Sequence, residues 1–218
     1  MIGHGEHLGE ILARWEIDCV VDAGAHLGQF GELVRGVGYA GSIASFEPVL
    51  PVFAALAKRV SADPRWSAHR LALGASDGTA ELNVPRATDF SSFLQPNAYS
   101  LETFDGATAV ERVEQVPVRR LDSVADEYLP ASGSRLFLKL DTQGWDLEVL
   151  KGAEDTLAHV VALQVELSLK PVYDGAPPYF EVAAYLDRLG FEVTGFFPVA
   201  SDDDLGLIET DCVMVRRG

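Results

Sequence analysis

Several short stretches carry side chains whose types and spacing could do chemistry. In Val20-Val21-Asp22-Ala23-Gly24-Ala25-His26-Leu27-Gly28 a carboxylate at the end of an apolar run is followed by two glycines, and the helical pattern QFGELVRG comes next. A strand entering a helix through glycines lets a ligand approach bare backbone, and the helix start offers unpaired N–H groups to an anionic moiety. Glu47, in Ser45-Phe46-Glu47-Pro48, ends a second apolar run and could accept both hydroxyl hydrogens of a ribose. Ala75-Ser76-Asp77-Gly78 is a turn whose Ser or Asp could take an adenine amino group, or it is a plain hairpin turn. Lys139 and Asp141 stand two apart at the end of RLFLKLD, as do Glu166 and Ser168 in VVALQVELS. Each pair therefore shares one side of its strand.

A dinucleotide fingerprint would also want glycine where this chain has His26 and Gln29, so a pyrophosphate cradle is poorly supported. An acid at a strand end followed by a Gly24 and Gly28 loop suits S-adenosylmethionine, which needs close backbone and a nearby carboxylate. The expected cofactor residues are Asp22, Gly24, Ala25, His26, Gly28, Glu47, Ser76 and Asp77. Methyl transfer from a sulfonium is an in-line displacement in which positioning supplies much of the rate. A hydroxyl acceptor must still lose its proton, and Asp141, Glu166, Lys139 and His26 are the candidates to assist. Asp141 and Glu166, on neighbouring strand ends, could bind the acceptor, act as base, or together hold a divalent cation through oxygen ligands. Lys139 could equally be an ion-pair partner for a buried acid, and His26 a loop-packing residue.

These residues need a scaffold that gathers strand ends. Asp18 to Ala23, Ser42 to Glu47, Trp66 to Leu73, Arg135 to Leu140 and Val160 to Glu166 read as strands, with helical patterns at Gln29 to Gly36, VFAALAKRV, Trp145 to Gly152 and Glu181 to Leu189. Such alternation implies a mostly parallel sheet covered on both faces. Phe191 to Phe197 and Cys212 to Arg216, with no helix between them, should pair antiparallel at one edge, joined by a solvated loop through Ala200 to Glu209. Pro85 to Glu114 interrupts the rhythm and is the candidate lid. Tyr173 and Asp174, before Ala176-Pro177-Pro178-Tyr179, are possible substrate contacts.

The chain has 218 residues, 48% hydrophobic and 23% charged, which suits one folded domain over 1–218 with a helical lead-in at 1–17. Subtracting 17 basic from 33 acidic residues gives −16, which disfavours nucleic acid as a partner. The N-terminus has no basic segment before an apolar run, so the expected location is the cytoplasm. From Gly36 to Ala57 only Glu47 is charged, but Gly38, Gly41, Pro48 and Pro51 argue against a membrane span. Cys19 and Cys212 read as core residues, and His4 and His7 have too few partners to suggest a metal.

The sequence resembles the FkbM family of S-adenosylmethionine-dependent methyltransferases. The resemblance rests on VVDAGAHLGQFG, SFEP, LALGASDGTAEL, VRRLDSV, LKLDTQGWDLEVLKGA and LQVELS. The chain departs from the family at Gln143, where Glu is common, and at His26, where Asn is frequent. The resemblance implies a Rossmann-like class I methyltransferase fold, α/β, with a seven-stranded sheet. It also implies O-methylation of a sugar or natural-product hydroxyl, with Asp22, Gly24, Gly28, Glu47 and Asp77 at the cofactor. Two other readings stay open: a catalytically silent S-adenosylmethionine-binding partner subunit and a nucleotide-cofactor oxidoreductase. The expected partner is a small hydroxylated molecule, and homo-oligomerisation is open.

Overall fold

The computed structural model describes residues 2–130 and 133–217; of the chain read as one domain, Met1, Ala131, Ser132 and Gly218 lie outside the described residues. The first part runs α1 (His4–Arg14), β1 (Cys19–Ala23), α2 (Gln29–Gly36), β2 (Ser42–Phe46), α3 (Leu50–Val60) and β3 (Trp66–His69). A small second sheet follows, made of β4 (Ala72–Leu73), β5 (Gly78–Pro85) and, beyond α4 (Ala98–Thr103), β6 (Val110–Arg119). After α5 (Leu121–Tyr128) the main sheet resumes with β7 (Leu136–Leu140), α6 (Asp146–Lys151), β8 (Val160–Ser168), α7 (Tyr179–Arg188), β9 (Phe191–Ser201) and β10 (Leu207–Arg216).

The main sheet has seven strands in the order β3-β2-β1-β7-β8-β10-β9. Neighbours from β3 through β8 are parallel, while β10 lies antiparallel to both β8 and β9, as the missing helix between the last strands requires. β1 has β2 on one side and β7 on the other, so the strand order reverses there and a crevice opens beyond the carboxyl ends of β1 and β7. Every residue of β1 and β7 is buried, which explains why they are apolar apart from the facing pair Asp22 and Lys139.

Period two sorts these strands between two cores. Val20 and Phe137 pack with Leu8, Phe30, Val34 and Leu56 under α1, α2 and α3. Val21 and Leu138 pack on the opposite face with Leu121, Val149 and Leu186 of α5, α6 and α7. Asp22 and Lys139, two along from Val20 and Phe137, therefore fall on the α1–α3 side, directly opposite each other in register. Cys19 and Cys212 are buried and unbridged. Among the described residues no helix is long and apolar enough to cross a membrane.

Three expectations need correction. The solvated loop expected through Ala200 to Glu209 is shorter, because β9 runs to Ser201 and β10 begins at Leu207, so Ala200 and Glu209 pair with each other and Glu209 is buried. The run from Trp66 to Leu73 is not one strand: β3 pairs with β2 through His69, then the chain turns, and Ala72 and Leu73 pair with Val118 and Arg119 of β6. The interval from Pro85 to Glu114 is not wholly irregular either, because β6 begins at Val110 and forms a hairpin ladder with β5. Pro117 masks β6 in the sequence, since proline is rare inside a sheet. The ladder tolerates it because β4 pairs only with the two residues beyond it.

Candidate active site

Gly24 sits at φ +74, and a Cβ there would lie 1.9 Å from the Asp141 carbonyl oxygen. The glycine is thus required by both the left-handed backbone and the close approach of the β7 end. Its N–H and that of Ala25 donate to the Phe46 carbonyl at 3.1 and 3.0 Å, and its own carbonyl accepts from Lys139 Nζ at 2.9 Å. These bonds lock the loop to β2 and β7 together. The His26 N–H donates to Glu47 Oε2 at 3.0 Å, and its ring Nε2 lies 2.9 Å from Thr88 Oγ1. Gln29 Nε2 donates to His26 Nδ1 at 3.1 Å, so the proton of the neutral imidazole belongs on Nε2. Burial lowers the His26 pKa and favours that neutral form.

A cavity of about 370 Å³ opens above this loop. Gly24, Ala25, His26, Glu47, Lys139, Asp141 and Glu166 from the expected set line it. At its β2 end Glu47 stands beside apolar Phe46, Ala72, Leu73 and Leu82. Glu47 Oε1 accepts from the Val49 N–H at 2.8 Å, and burial pushes the carboxyl up to about 7. The segment between β5 and β6 supplies Thr88, Asp89, Ser91 and Phe93 to the wall.

Four expected cofactor residues are not brought to the cavity. Asp22 is fully buried beneath the loop, where its Oδ2 accepts from Ser45 Oγ at 3.0 Å and its Oδ1 lies 3.5 Å from Lys139 Nζ. Gly28 faces α3 and β3: at φ +88, a Cβ would meet Leu56 at 2.9 Å and Trp66 at 3.2 Å. Ser76 and Asp77 follow β4 into the small sheet. There Asp77 accepts from the Arg120 N–H at 2.7 Å and lies 3.4 Å from Arg119 Nε.

The opposite end gathers the groups able to move a proton. Leu140 pairs with Val165, so Asp141 and Glu166 lie side by side just beyond the β7–β8 ladder. Lys139 Nζ, 7% exposed, is 3.2 Å from Asp141 Oδ2. Burial alone would lower the Lys139 pKa, but Asp141 and Asp22 raise it above its ordinary value. Lys139 therefore stays charged and serves as a fixed cation, not a base. Burial alone would raise the Asp141 carboxyl, but Lys139 and hydrogen bonds from neighbouring side chains carry it below its ordinary value. Burial and the Asp141 charge drive Glu166 well above its ordinary range, so the pair behaves as one strongly interacting unit.

Sequence reasoning missed several contributors. Gln143 Nε2 donates to Asp141 Oδ1 at 3.0 Å and to Glu166 Oε2 at 2.8 Å, and its Oε1 lies 2.7 Å from the Tyr173 hydroxyl. Gln164, Asp211 of β10 and His4 of α1 also reach the cavity, with His4 Nε2 2.8 Å from Gln164 Oε1. No local signal marks His4, whose partner is distant in the chain. Gln143 carries one: it stands before Gly144 where the family commonly has Glu. Neither of the two suggested acceptor contacts lines the cavity: Tyr173 is buried behind it and reaches the site only through Gln143, and Asp174 is also absent from its wall. Among the described residues, no group of three or more His, Cys, Asp or Glu could hold a metal ion.

Residues 22–193 match the methyltransferase FkbM domain. The chain belongs to that family. A relative, methyltransferase sdnD of Sordaria araneosa, is 28% identical over 199 residues, covering 80% of this chain and 74% of that protein. The magnesium protoporphyrin IX methyltransferase of Synechocystis PCC 6803, solved with bound S-adenosylmethionine, shares the fold at TM-score 0.51 and 10% identity, covering 98% and 80% of the two chains. An rRNA methylase of Streptococcus thermophilus does so at TM-score 0.50 and 12% identity, covering 100% and 99%. The FkbM domain is thus a class I, S-adenosylmethionine-dependent methyltransferase fold, and the oxidoreductase reading loses its support.

The buried acids of this FkbM domain fix the sign of its pH dependence. Burial pushes Glu47 and Glu209 up to about 7 and Asp146 and Asp211 up to about 6, from ordinary values of 4.5 and 3.8. Their contribution to stability is complete below those ordinary values and is lost as pH rises toward the folded-state values, because the unfolded chain gives up its protons first. The net charge of −16 acts in the same direction. Burial lowers His7, His26 and His69, which acts in the opposite direction below about pH 6.5, but the upward shifts of the acids are the larger. We expect a higher thermal unfolding midpoint at pH 5.5 than at pH 8 without ligand; a midpoint that climbs over that interval would mean that the histidines outweigh the acids.

Proposed function

We propose that this FkbM protein transfers the methyl group of S-adenosylmethionine to a hydroxyl of a small sugar or natural-product metabolite. The observation that carries the reading is the Asp141–Glu166 pair at one end of a cavity whose other end offers Glu47 beside apolar walls. The residues present suit the cofactor. Glu47 would hold the ribose diol, Phe46, Ala72 and Leu73 the purine, and the remaining lone pair of the Gly24 carbonyl the ammonium group of the amino-acid end. A cavity of about 370 Å³ lies within the usual range for small-molecule sites, roughly 300–1,000 Å³. The bound cofactor supplies an electrophilic methyl on a sulfonium, whose thioether leaving group needs no acid.

The protein's own share is to orient the acceptor hydroxyl and accept its proton. Asp141, kept ionised by Lys139, can take a hydrogen bond from the acceptor, and Glu166 can take the proton once it is deprotonated. His26 has both ring nitrogens engaged, with Gln29 and Thr88, so we give it a positioning role between the glycine loop and the segment after β5. That segment, through Thr88, Asp89, Ser91 and Phe93, would act as the lid that excludes water from the opposite charges of alkoxide and sulfonium.

Incubating the protein with methyl-labelled S-adenosylmethionine and an extract of its source, followed by mass spectrometry, tests the reaction class. We expect the label on an oxygen of a small hydroxylated product. Label on nitrogen or carbon, or cofactor binding with no labelled product, would overturn O-transfer.

A further inference from the structure

The Asp141–Glu166 pair is held by a side chain that is itself tightly constrained. Gln143 has two amide hydrogens, and both are used, one on each carboxylate. Its amide oxygen faces the Tyr173 hydroxyl, which also lies 3.1 Å from the Phe90 carbonyl. Turning the amide over would set its oxygen against the carboxylate of Asp141. The backbone is pinned as well: the Gln143 carbonyl accepts from Ser92 Oγ at 2.7 Å, and the residue sits at φ 53, a conformation unfavourable for a side chain with a Cβ. Such strain persists only where the surroundings determine it.

We propose that Gln143 is a positioning residue for methyl transfer, its amide, oriented by Tyr173, bridging Asp141 and Glu166 in the place a divalent cation shared by them would occupy. A bridging Mg²⁺ or Ca²⁺ would need carboxylate oxygens at roughly 2.0–2.6 Å. The amide nitrogen, at 3.0 and 2.8 Å from one oxygen of each, fills that position. It does what a cation would do geometrically, joining two acids that repel once both are ionised, without adding charge beside the methyl donor. Ser92 and Tyr173 tie this bridge to the segment after β5 and to the loop after β8, so ordering either segment orders the acid pair. The inference rests on the proposed role of that pair.

Mn²⁺ binding, followed by the electron paramagnetic resonance signal of the free ion without cofactor or acceptor, tests the bridge independently of the transfer reaction. We expect no Glu166-dependent binding by the wild-type protein. Gln143→Glu should bind at least tenfold more tightly, and Gln143→Glu combined with Glu166→Gln should lose that gain. Gln143→Ala, which removes the bridge without adding a carboxylate, should also gain Glu166-dependent binding and serves if the Glu variant is unstable. Wild-type binding as tight as that of the variants and dependent on Glu166 would overturn the proposal, as would variants that bind no better than wild type. With a methylated acceptor in hand, Gln143→Ala should lower kcat while leaving KM for S-adenosylmethionine unchanged. A rise in KM with kcat preserved would assign Gln143 to cofactor binding instead.

Discussion

Asp141→Asn is expected to lower the rate of methyl transfer by roughly 10²- to 10⁴-fold while leaving the protein folded, the range typical of losing a group that assists proton transfer. The substitution keeps the shape of the side chain and an acceptor for Lys139, but removes the charge that the lysine, buried with Asp22 on its other side, is placed to sustain. Glu166→Gln separates the roles of the two acids. Because Glu166 holds its proton well above the ordinary carboxylate range, the wild-type rate should rise with pH as that proton leaves. In Glu166→Gln that rise should disappear and the residual rate should be flat through the same interval. Initial rates between pH 5.5 and 9 with each variant check both statements. An Asp141→Asn enzyme within threefold of wild type would remove the acid pair from the reaction.

Gly24→Ala should be the most damaging single change to the fold near the site. The new Cβ would lie 1.9 Å from the carbonyl oxygen of Asp141, and the residue would have to keep φ at +74. Overpacking and left-handed strain together should destabilise by about 3 kcal/mol or more, or about 6–12 °C in thermal midpoint for a chain of this size. The loop cannot move away freely, because its N–H groups are tied to Phe46 and its carbonyl to Lys139. Thermal unfolding of the variant without ligand tests this, and a midpoint within 2 °C of wild type would mean that the loop and the β7 end do not approach as closely as described.

The parts of the molecule most legible in the sequence are those governed by local rules. The helix from Gln29 to Gly36 announces itself by its glycine turn and periodicity, and β1 and β7 by short apolar runs that each carry a single charge near the carboxyl end. Asp141 and Glu166 could be placed together because strand period and parallel pairing put them at adjacent ends. Ser76 and Asp77 could not be located that way. Their position depends on β4 leaving the main sheet after His69, a choice made by its pairing with β6 nearly fifty residues later. Asp22 was expected at the cofactor and lies beneath the loop instead, because its depth is not legible in the sequence. Only the register with Lys139 and Ser45 shows that it supports the lysine from below. Gln143 was legible only as a departure from the family's usual Glu, because its importance lies in what its amide joins, and that depends on the positions of Asp141, Glu166 and Tyr173.

Calorimetric titration of S-adenosylmethionine into the wild-type protein and Glu47→Gln most directly asks whether the crevice beyond β1, β2 and β7 is the cofactor site. At pH 8, where Glu47 is mostly ionised, we predict one molecule bound per chain, displaced by S-adenosylhomocysteine, with affinity at least about tenfold weaker in Glu47→Gln, as expected for losing a charged hydrogen-bond acceptor. A folded wild-type protein that binds no S-adenosylmethionine, or a Glu47→Gln variant that binds it as tightly as wild type, would contradict the account.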